Sequence, residues 1–107
     1  MSIFTSLMRR ADTLRRVESD PVREAWWTGY MRGLRRAHHG QAFGTDAEHE
    51  LWLAAAESDD SGRAALGLGY LAGLSLEIKS PPGPAPDEVM ALVPEHLREI
   101  ADRTGDR

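Results

Sequence analysis

Apolar residues recur at three- and four-residue spacings through most of the first eighty positions, the period of amphipathic helices. The first such stripe consists of Ile3, Phe4, Leu7, Met8, Ala11, Leu14 and Val17. Asp20-Pro21 then marks a helix start, because Asp caps free amides and Pro tolerates the first helical position. We expect a second helix from there to about His39, since Gly40 follows.

Two further helices are predicted before the proline-rich stretch. Thr45 and Glu48 have the spacing of a capping box, which starts a third helix over about Asp46–Glu57. A polar turn at 58–61 precedes a fourth helix that is expected to end near Lys79. Its apolar run 64–76 has 13 residues, whereas a membrane-spanning helix needs about 20. The run is therefore predicted to be a buried core helix, with no membrane association.

The C-terminal quarter is expected to differ from this helical body, which covers 1–80. Residues 81–86 read Pro-Pro-Gly-Pro-Ala-Pro, a composition that cannot continue a helix and favours an extended linker or strap. Beyond it, 87–107 are predicted to form short helices, the first capped by Asp87 and the last beginning near Pro94. The predicted fold is all-α, a compact bundle of four helices with a short helical tail.

The chain repeats itself. Gly29-Tyr30-Met31-Arg32-Gly33-Leu34 recurs as Gly69-Tyr70-Leu71-Ala72-Gly73-Leu74, 40 positions later. Phe4 is echoed by Phe43, and 17–20 by 56–59, at a spacing of 39. Two helix-turn-helix repeats are implied, at about 3–39 and 43–79.

The two glycines in each motif need an explanation, because each costs roughly 1 kcal/mol against Ala inside a helix. Spaced by four residues, they form a flat stripe that allows close approach of another backbone. One interpretation is that the second and fourth helices cross at these stripes, with Tyr30 and Tyr70 beside the contact. The alternative is that one stripe stays exposed and receives a partner.

The motif Gly-Tyr-x-x-Gly-Leu, followed by Phe43-Gly44-Thr45, His49 and Trp52, resembles the Gly-Tyr/Trp-x-x-Gly repeats of small ribosome modulation factor-like bacterial and phage proteins. The resemblance covers about the middle half of the chain. It implies a short two-helix fold that binds ribosomal RNA. It would give Arg32, Arg35 and Arg36 a role in that binding.

Composition narrows the functional classes. The chain has no Cys, which excludes disulfides, thiolate nucleophiles and Cys-ligated metal sites, and a cytoplasmic location is expected. The net charge of −4 is uneven, with +4 over residues 1–39 and −8 over the rest. The acidic part opposes nonspecific nucleic-acid binding, so nucleic acid is a possible but disfavoured partner.

No catalytic site is recognisable, and no cofactor is expected. The chain lacks a Gly-x-Ser-x-Gly elbow, and its glycines lack the Lys and Ser/Thr of a phosphate-binding loop. His38, His39, Asp46 and His49 could in principle hold a metal, but their spacing matches no metal-binding motif. We therefore predict no metal site and no enzymatic activity.

Interface candidates concentrate on the second helix. Trp26 and Trp27 lie about 100° apart on it, so we expect at most one to point fully into the core. The other is expected to be either partly covered by the tail or an interface anchor. Trp and Arg are enriched among binding hot spots. The candidate interface residues are Arg23, Trp27, Tyr30, Arg32, Arg35 and Arg36.

These observations predict a non-enzymatic helical binding protein that regulates or inhibits a larger protein or ribonucleoprotein complex. An inhibitor of the anti-CRISPR type, encoded by a phage or mobile element, would fit this description. The alternative is the RNA- or ribosome-associated regulator that the resemblance implies. A homodimer is a further possibility, because a Gly-Tyr stripe or an exposed Trp27 can pair across a two-fold axis.

Overall fold

The structure is a computed structural model that describes residues 2–82. Helix α1 spans Ile3–Val17, α2 spans Pro21–His39, α3 spans Asp46–Ala55 and α4 spans Ser61–Leu74, with a 3-10 turn at Gly40–Ala42. This part of the chain contains no strand, so the predicted all-α, four-helix fold is confirmed. The short helices predicted within 87–107 lie outside the described residues. No described helix is both long and apolar enough to span a bilayer.

Each helix begins at a polar side chain that caps a free amide. Ser2, Asp20, Thr45 and Asp60 each accept a hydrogen bond from the backbone N–H three residues later. Only half of the predicted capping box forms: the Thr45 hydroxyl accepts from the Glu48 N–H. The Glu48 carboxylate does not return to Thr45, because it lies 3.7 Å from Arg32. The bounds predicted for α2 are confirmed, while α3 ends at Ala55, two residues before the predicted Glu57.

The predicted end of α4 near Lys79 is wrong, because the helix stops at Leu74. Leu76 adopts a left-handed backbone conformation with φ of 54°, and its N–H donates to the Gly73 carbonyl. This turn reverses the chain and brings the Glu77 carbonyl to the buried Tyr30 hydroxyl, which donates to it. A buried tyrosine hydroxyl needs such a partner, and a continued helix would not supply it.

Helices α2 and α4 pack together in parallel at their glycine stripes. A Cβ atom built on Gly29 would lie 2.0 Å from the Leu66 carbonyl oxygen, and one on Gly33 would lie 2.1 Å from that of Tyr70. The reciprocal contacts join Gly69 to Trp26 and Gly73 to Tyr30. Adding 40 to the α2 residue and subtracting 40 from the α4 residue of each pair gives the reciprocal pair, so a pseudo-two-fold axis relates the repeats. The interpretation that the two stripes face each other is confirmed, and the alternative of an exposed stripe is wrong.

The hydrophobic core cluster of the described residues lies mainly on the first repeat. It joins Leu7 and Ala11 of α1 to Trp26, Trp27, Tyr30 and Leu34 of α2 and to Ala65 of α4. Trp26 and Trp27 are only 4% and 3% exposed, so the expectation that at most one of them points into the core is wrong. Helix α2 lies between α1 and α4. Both tryptophans are therefore covered, although they point in directions about 100° apart.

After α4 the chain turns at 75–77 and returns across the first repeat without forming a helix or strand; we call residues 76–82 the strap. Arg10 donates to the Lys79 carbonyl at 2.8 Å and to the Ser80 hydroxyl at 2.9 Å. Arg23 donates to the Pro82 carbonyl at 2.9 Å, and Pro81 is buried. The beginning of the predicted linker 81–86 is therefore packed on the helical body.

Candidate interaction surface

The predicted interface residues of the first half of α2 are occupied within the chain. Trp27 is buried against α1, where the Arg10 guanidinium lies 5.4 Å from its ring centre. Tyr30 is fully buried, stacks on Trp26 and donates to the strap. Arg23 pairs with Glu18 at 2.9 Å and holds Pro82. Neither aromatic ring offers surface to a partner in this arrangement.

The second half of α2 carries the other three candidates, which the structure brings together against α3. Arg36 pairs with Asp46 at 3.0 Å. Arg32 lies between two rings, 5.1 Å from the centre of Phe43 and 4.8 Å from that of Trp52. Cation–π contacts of this kind stabilise by about 0.5–2 kcal/mol. They attach α3 to α2.

Arg35 is the most accessible of the three, exposed to solvent with its guanidinium 5.9 Å from the Phe43 ring centre. Arg36 is mostly enclosed, and its Nε atom has no hydrogen-bond partner among the described residues. An enclosed donor without a partner carries a desolvation cost that offsets part of the ion pair. Arg32 and Arg36 thus form internal contacts, and Arg35 is the one of the three that stays open to solvent.

The remaining arginines of α1 do not join this cluster. Helices α1 and α2 are antiparallel, since Phe4 stacks on His38 and Glu18 pairs with Arg23. Arg15 and Arg16, which both pair with Asp12, therefore lie at the end opposite Arg35 and Arg36. Arg15 and Arg16 therefore do not form one basic face with Arg35 and Arg36.

Tyr70 is the buried centre of the second repeat. Its ring stacks on Trp52, with centres 5.4 Å apart, and its hydroxyl lies 2.6 Å from Nδ1 of His49. Burial raises the pKa of Tyr70 above its ordinary value, although the nearby charges of Arg36 and Arg32 act in the opposite direction. The hydroxyl therefore stays protonated over the physiological range.

The four residues considered for metal binding have separate contacts. His38 and His39 lie against Phe4, Asp46 binds Arg36 and Gln41, and His49 faces Tyr70. Over residues 2–82, no group of three or more His, Asp or Glu side chains is placed to hold a metal ion.

An exposed apolar surface also lies on the second repeat, where the sequence predicts no interface. Helix α3 has no buried residue, and Leu51 on it is 72% exposed. Beside Leu51 runs an open groove between α3 and the start of α4, which we call the α3–α4 groove. Its lining comprises Leu51, Trp52, Ala54, Ala55, Glu57, Ser58, Arg63 and Leu66.

A second apolar area lies on the outer side of α4. Leu68 and Leu71, one helical turn apart, are each 45% exposed. A signal for these surfaces was present in the sequence. Leu51, Trp52 and Leu53 are consecutive, so they point in directions around the helix that a single neighbour cannot all cover.

Comparison with known proteins gives no relative: the chain matches no protein-family model, no curated protein and no solved structure. The resemblance to ribosome modulation factor-like proteins therefore stays a prediction.

Proposed function

We propose that this protein is a non-enzymatic helical adaptor or inhibitor that binds another protein through its second repeat, at the α3–α4 groove. The observation that carries the proposal is the exposure of Leu51, 72%, at the edge of a groove lined mainly by apolar side chains. Exposed apolar residues grouped around a groove are typical of surfaces that a partner covers. Nothing within the described chain covers this one.

Electrostatics favour a protein over a nucleic acid as the partner. The charge over positions 40–107 is −8, and the groove carries one acidic and one basic residue, Glu57 and Arg63. Arg32 and Arg36, which the RNA hypothesis would use, face Glu48 and Asp46. An RNA would have to compete with these carboxylates for the same guanidinium groups.

The buried polar pair of the second repeat supports a binding role over a catalytic one. Tyr70 and His49 have the hydroxyl-to-imidazole contact that proton transfer requires, but Tyr70 is only 2% exposed. A substrate has no access to that hydroxyl. The pair fixes the position of α3 on α4.

The test compares two equally exposed apolar residues on different repeats. Tagged wild-type protein and its Leu51→Asp and Val17→Asp variants are used to isolate partners from a lysate of the cells that encode the chain, with and without nuclease. Val17 is 74% exposed on α1, so it is a matched control. Far-ultraviolet circular dichroism verifies that each variant remains helical.

We expect a nuclease-resistant protein partner that wild type and Val17→Asp retain and Leu51→Asp loses. A partner that is retained by all three would place the interface elsewhere and contradict the proposal. Material that nuclease removes would instead favour the RNA-associated alternative. That result would then be examined by exchanging Arg35, the most exposed of the three arginines, for Glu.

A further inference from the structure

One side of α4 carries an apolar stripe that stays partly exposed among the described residues. Its members are Ala64, Leu68 and Leu71, which we call the outer face of α4. Spacings of four and three residues align them along one side of the helix. Leu68 and Leu71 are each 45% exposed. An apolar stripe on a helix surface is typical of a face that another segment covers.

The internal repeat shows that the fold does not require this face to be apolar. At the spacing of 40, Ala64 and Leu68 correspond to Glu24 and Thr28 of α2. Glu24 and Thr28 are both exposed, and polar side chains suit such positions. The contact between α2 and α4 uses the glycine sides of both helices, so it does not account for the difference. The outer face of α4 therefore points to an occupant that α2 lacks.

A cavity of about 250 Å³ lies between the outer face of α4 and the start of α2. Its walls on the two helices include Val22, Trp26, Ala65 and Leu68. Pro81 and Pro82 of the strap line it as well, and Pro81 is buried. The strap thus enters this groove and leaves part of it open. Since about 150 Å³ accommodates a benzene-sized group, the cavity has room for at least one large apolar side chain.

The sequence that follows Pro82 supplies a suitable occupant. After the four-residue spacer 83–86 comes the segment 87–101, which has an apolar pattern at spacings of four, four and three. That pattern consists of Val89, Val93, Leu97 and Ile100. Four residues reach up to about 13 Å, whereas the outer face, from Ala64 to Leu71, is about 10 Å long. The spacer is therefore long enough for the segment to begin anywhere along that face.

The tether favours this segment over a separate molecule. A short linker gives the tethered segment an effective concentration of about millimolar at the face beside Pro82. An affinity in the micromolar range is then sufficient for the face to be covered most of the time. A second copy of the chain, or another protein, would have to bind more tightly to displace it.

We propose that residues 87–101 bind along the outer face of α4, where their apolar side chains cover Leu68 and Leu71 and enter the cavity beside Pro82. The face is then closed within the chain. The inference is independent of the proposed function, because the α3–α4 groove uses other residues of α4, Arg63 and Leu66.

Single introduced cysteines test the proposal, because the chain has no Cys of its own. Leu68→Cys on the outer face and Leu51→Cys in the α3–α4 groove are made in the full-length protein. The rate at which each thiol reacts with an aromatic disulfide reagent measures its accessibility. Each is combined with Leu97→Asp, which places a carboxylate within the apolar pattern of 87–101. Ala91→Asp, outside that pattern, is the matched control.

Circular dichroism verifies that each variant keeps its helices. Leu71→Cys is a second reporter on the same face, to be used if Leu68→Cys loses helix.

We expect Leu97→Asp to accelerate the labelling of Leu68→Cys about tenfold, because the burial of a leucine side chain is lost. Ala91→Asp should leave that rate unchanged, and labelling of Leu51→Cys should respond to neither substitution. A labelling rate of Leu68→Cys that does not respond to Leu97→Asp, or that responds equally to Ala91→Asp, would overturn the inference. Acceleration at Leu51→Cys alone would place the segment in the α3–α4 groove and would also overturn it.

A second copy of the chain is the competing occupant. Sedimentation velocity at the labelling concentration detects it, and the labelling of Leu68→Cys is repeated after dilution. We expect a monomer and a rate that does not change on dilution. A dimer, with labelling of Leu68→Cys that accelerates on dilution, would assign the outer face of α4 to self-association and overturn the inference.

Discussion

At the scale of single residues, the absence of four Cβ atoms determines how the two repeats join. Gly29, Gly33, Gly69 and Gly73 each face a backbone carbonyl of the opposite helix at a distance that no side chain would allow. The helix propensity lost at these positions is offset by close packing and by contacts between Cα–H groups and carbonyl oxygens. The motif is therefore structural, and its tyrosines are buried because they flank that contact.

Gly69→Ala should destabilise the protein by about 3 kcal/mol or more, because the added Cβ would lie 2.0 Å from the Trp26 carbonyl oxygen and force the helices apart. Urea unfolding followed by circular dichroism measures the effect. Gly62→Ala is the control within the same helix, since its Cβ would meet only the Asp60 carboxylate at 3.4 Å. We expect that change to stabilise by less than about 1 kcal/mol. Equal effects of the two substitutions on the free energy of unfolding would contradict the close packing of α4 against α2 at Gly69.

Tyr30 and Tyr70 make stability depend on alkaline pH. Burial raises the pKa of both phenols in the folded protein, while the unfolded value stays near 10. The unfolded state therefore loses its phenolic protons at lower pH than the folded state does. The stability that the two buried phenols contribute is therefore fully present below pH 10. It is lost as the pH rises through the pKa values of the folded state.

The free energy of unfolding, measured in urea between pH 8 and 11, should fall above pH 10. Lys79 is the only lysine, so few other groups titrate in this range. Tyr70→Phe should reduce the slope with which the free energy of unfolding falls as the pH rises. In the folded wild type, tyrosinate absorption should appear only at a higher pH than in a model peptide. A free energy of unfolding that does not change with pH would show that the phenols are accessible.

At the scale of elements, local signals determine where helices start, and tertiary contacts determine where α4 ends. Asp60 caps α4 by accepting from the Arg63 N–H at 2.8 Å, within the polar turn at 58–61 that the sequence predicts to precede this helix. The turn at Leu76 has no such local signal, because a leucine disfavours a positive φ. The strap contacts made by Tyr30, Arg10 and Arg23 stabilise that turn.

Asp60→Ala should reduce stability by about 1 kcal/mol, the usual cost of removing a helix N-cap. The neighbouring Asp59→Ala is the control, since Asp59 is exposed and makes no hydrogen bond in the described residues. Thermal melting compares the two. A larger effect at Asp59 would place the start of α4 one residue earlier.

Arg10→Ala should release the strap without unfolding the helices. The guanidinium of Arg10 makes two hydrogen bonds to the strap, at Lys79 and Ser80, and their loss should raise the opened population about tenfold. Trypsin cleavage after Lys79, followed by mass spectrometry, reports that population. Arg9→Ala on the exposed side of α1 is the control, and similar rates in the two variants would mean that Arg10 does not hold the strap.

At the scale of the whole molecule, the protein is two helical hairpins that share one central contact. Helix α1 packs on α2 and α3 packs on α4, while the most extensive helix pairing is that of α2 with α4.

The cores of the two repeats are not equivalent. Trp27 occupies the position that corresponds to Gly67, whose Cβ would meet the backbone of Ala56 at 2.1 Å. Helix α1 consequently covers a large aromatic core, whereas α3 lies directly on the α4 backbone and buries little.

Neither half should fold well alone, because each would expose its glycine stripe and tyrosine. Fragments 1–44 and 45–107, measured by circular dichroism separately and as an equimolar mixture, should show more helix in the mixture than the sum of the two. Gly69→Ala in the second fragment should prevent this gain. Full helicity of the separate fragments would mean that the contact between α2 and α4 adds no stability.

The sequence by itself determined the helical class, the starts of the helices and the repeat with its glycine stripes, but it left open whether those stripes contact each other. These features depend on short-range periodicity, on capping groups and on the cost of glycine in a helix, all of which are local. The tertiary structure decided that Trp26 and Trp27 are both buried, that α4 ends at Leu74 and that α3 leaves Leu51 exposed. Burial depends on which neighbours surround a helix, and residues distant in sequence, such as Glu77 against Tyr30, supply those neighbours.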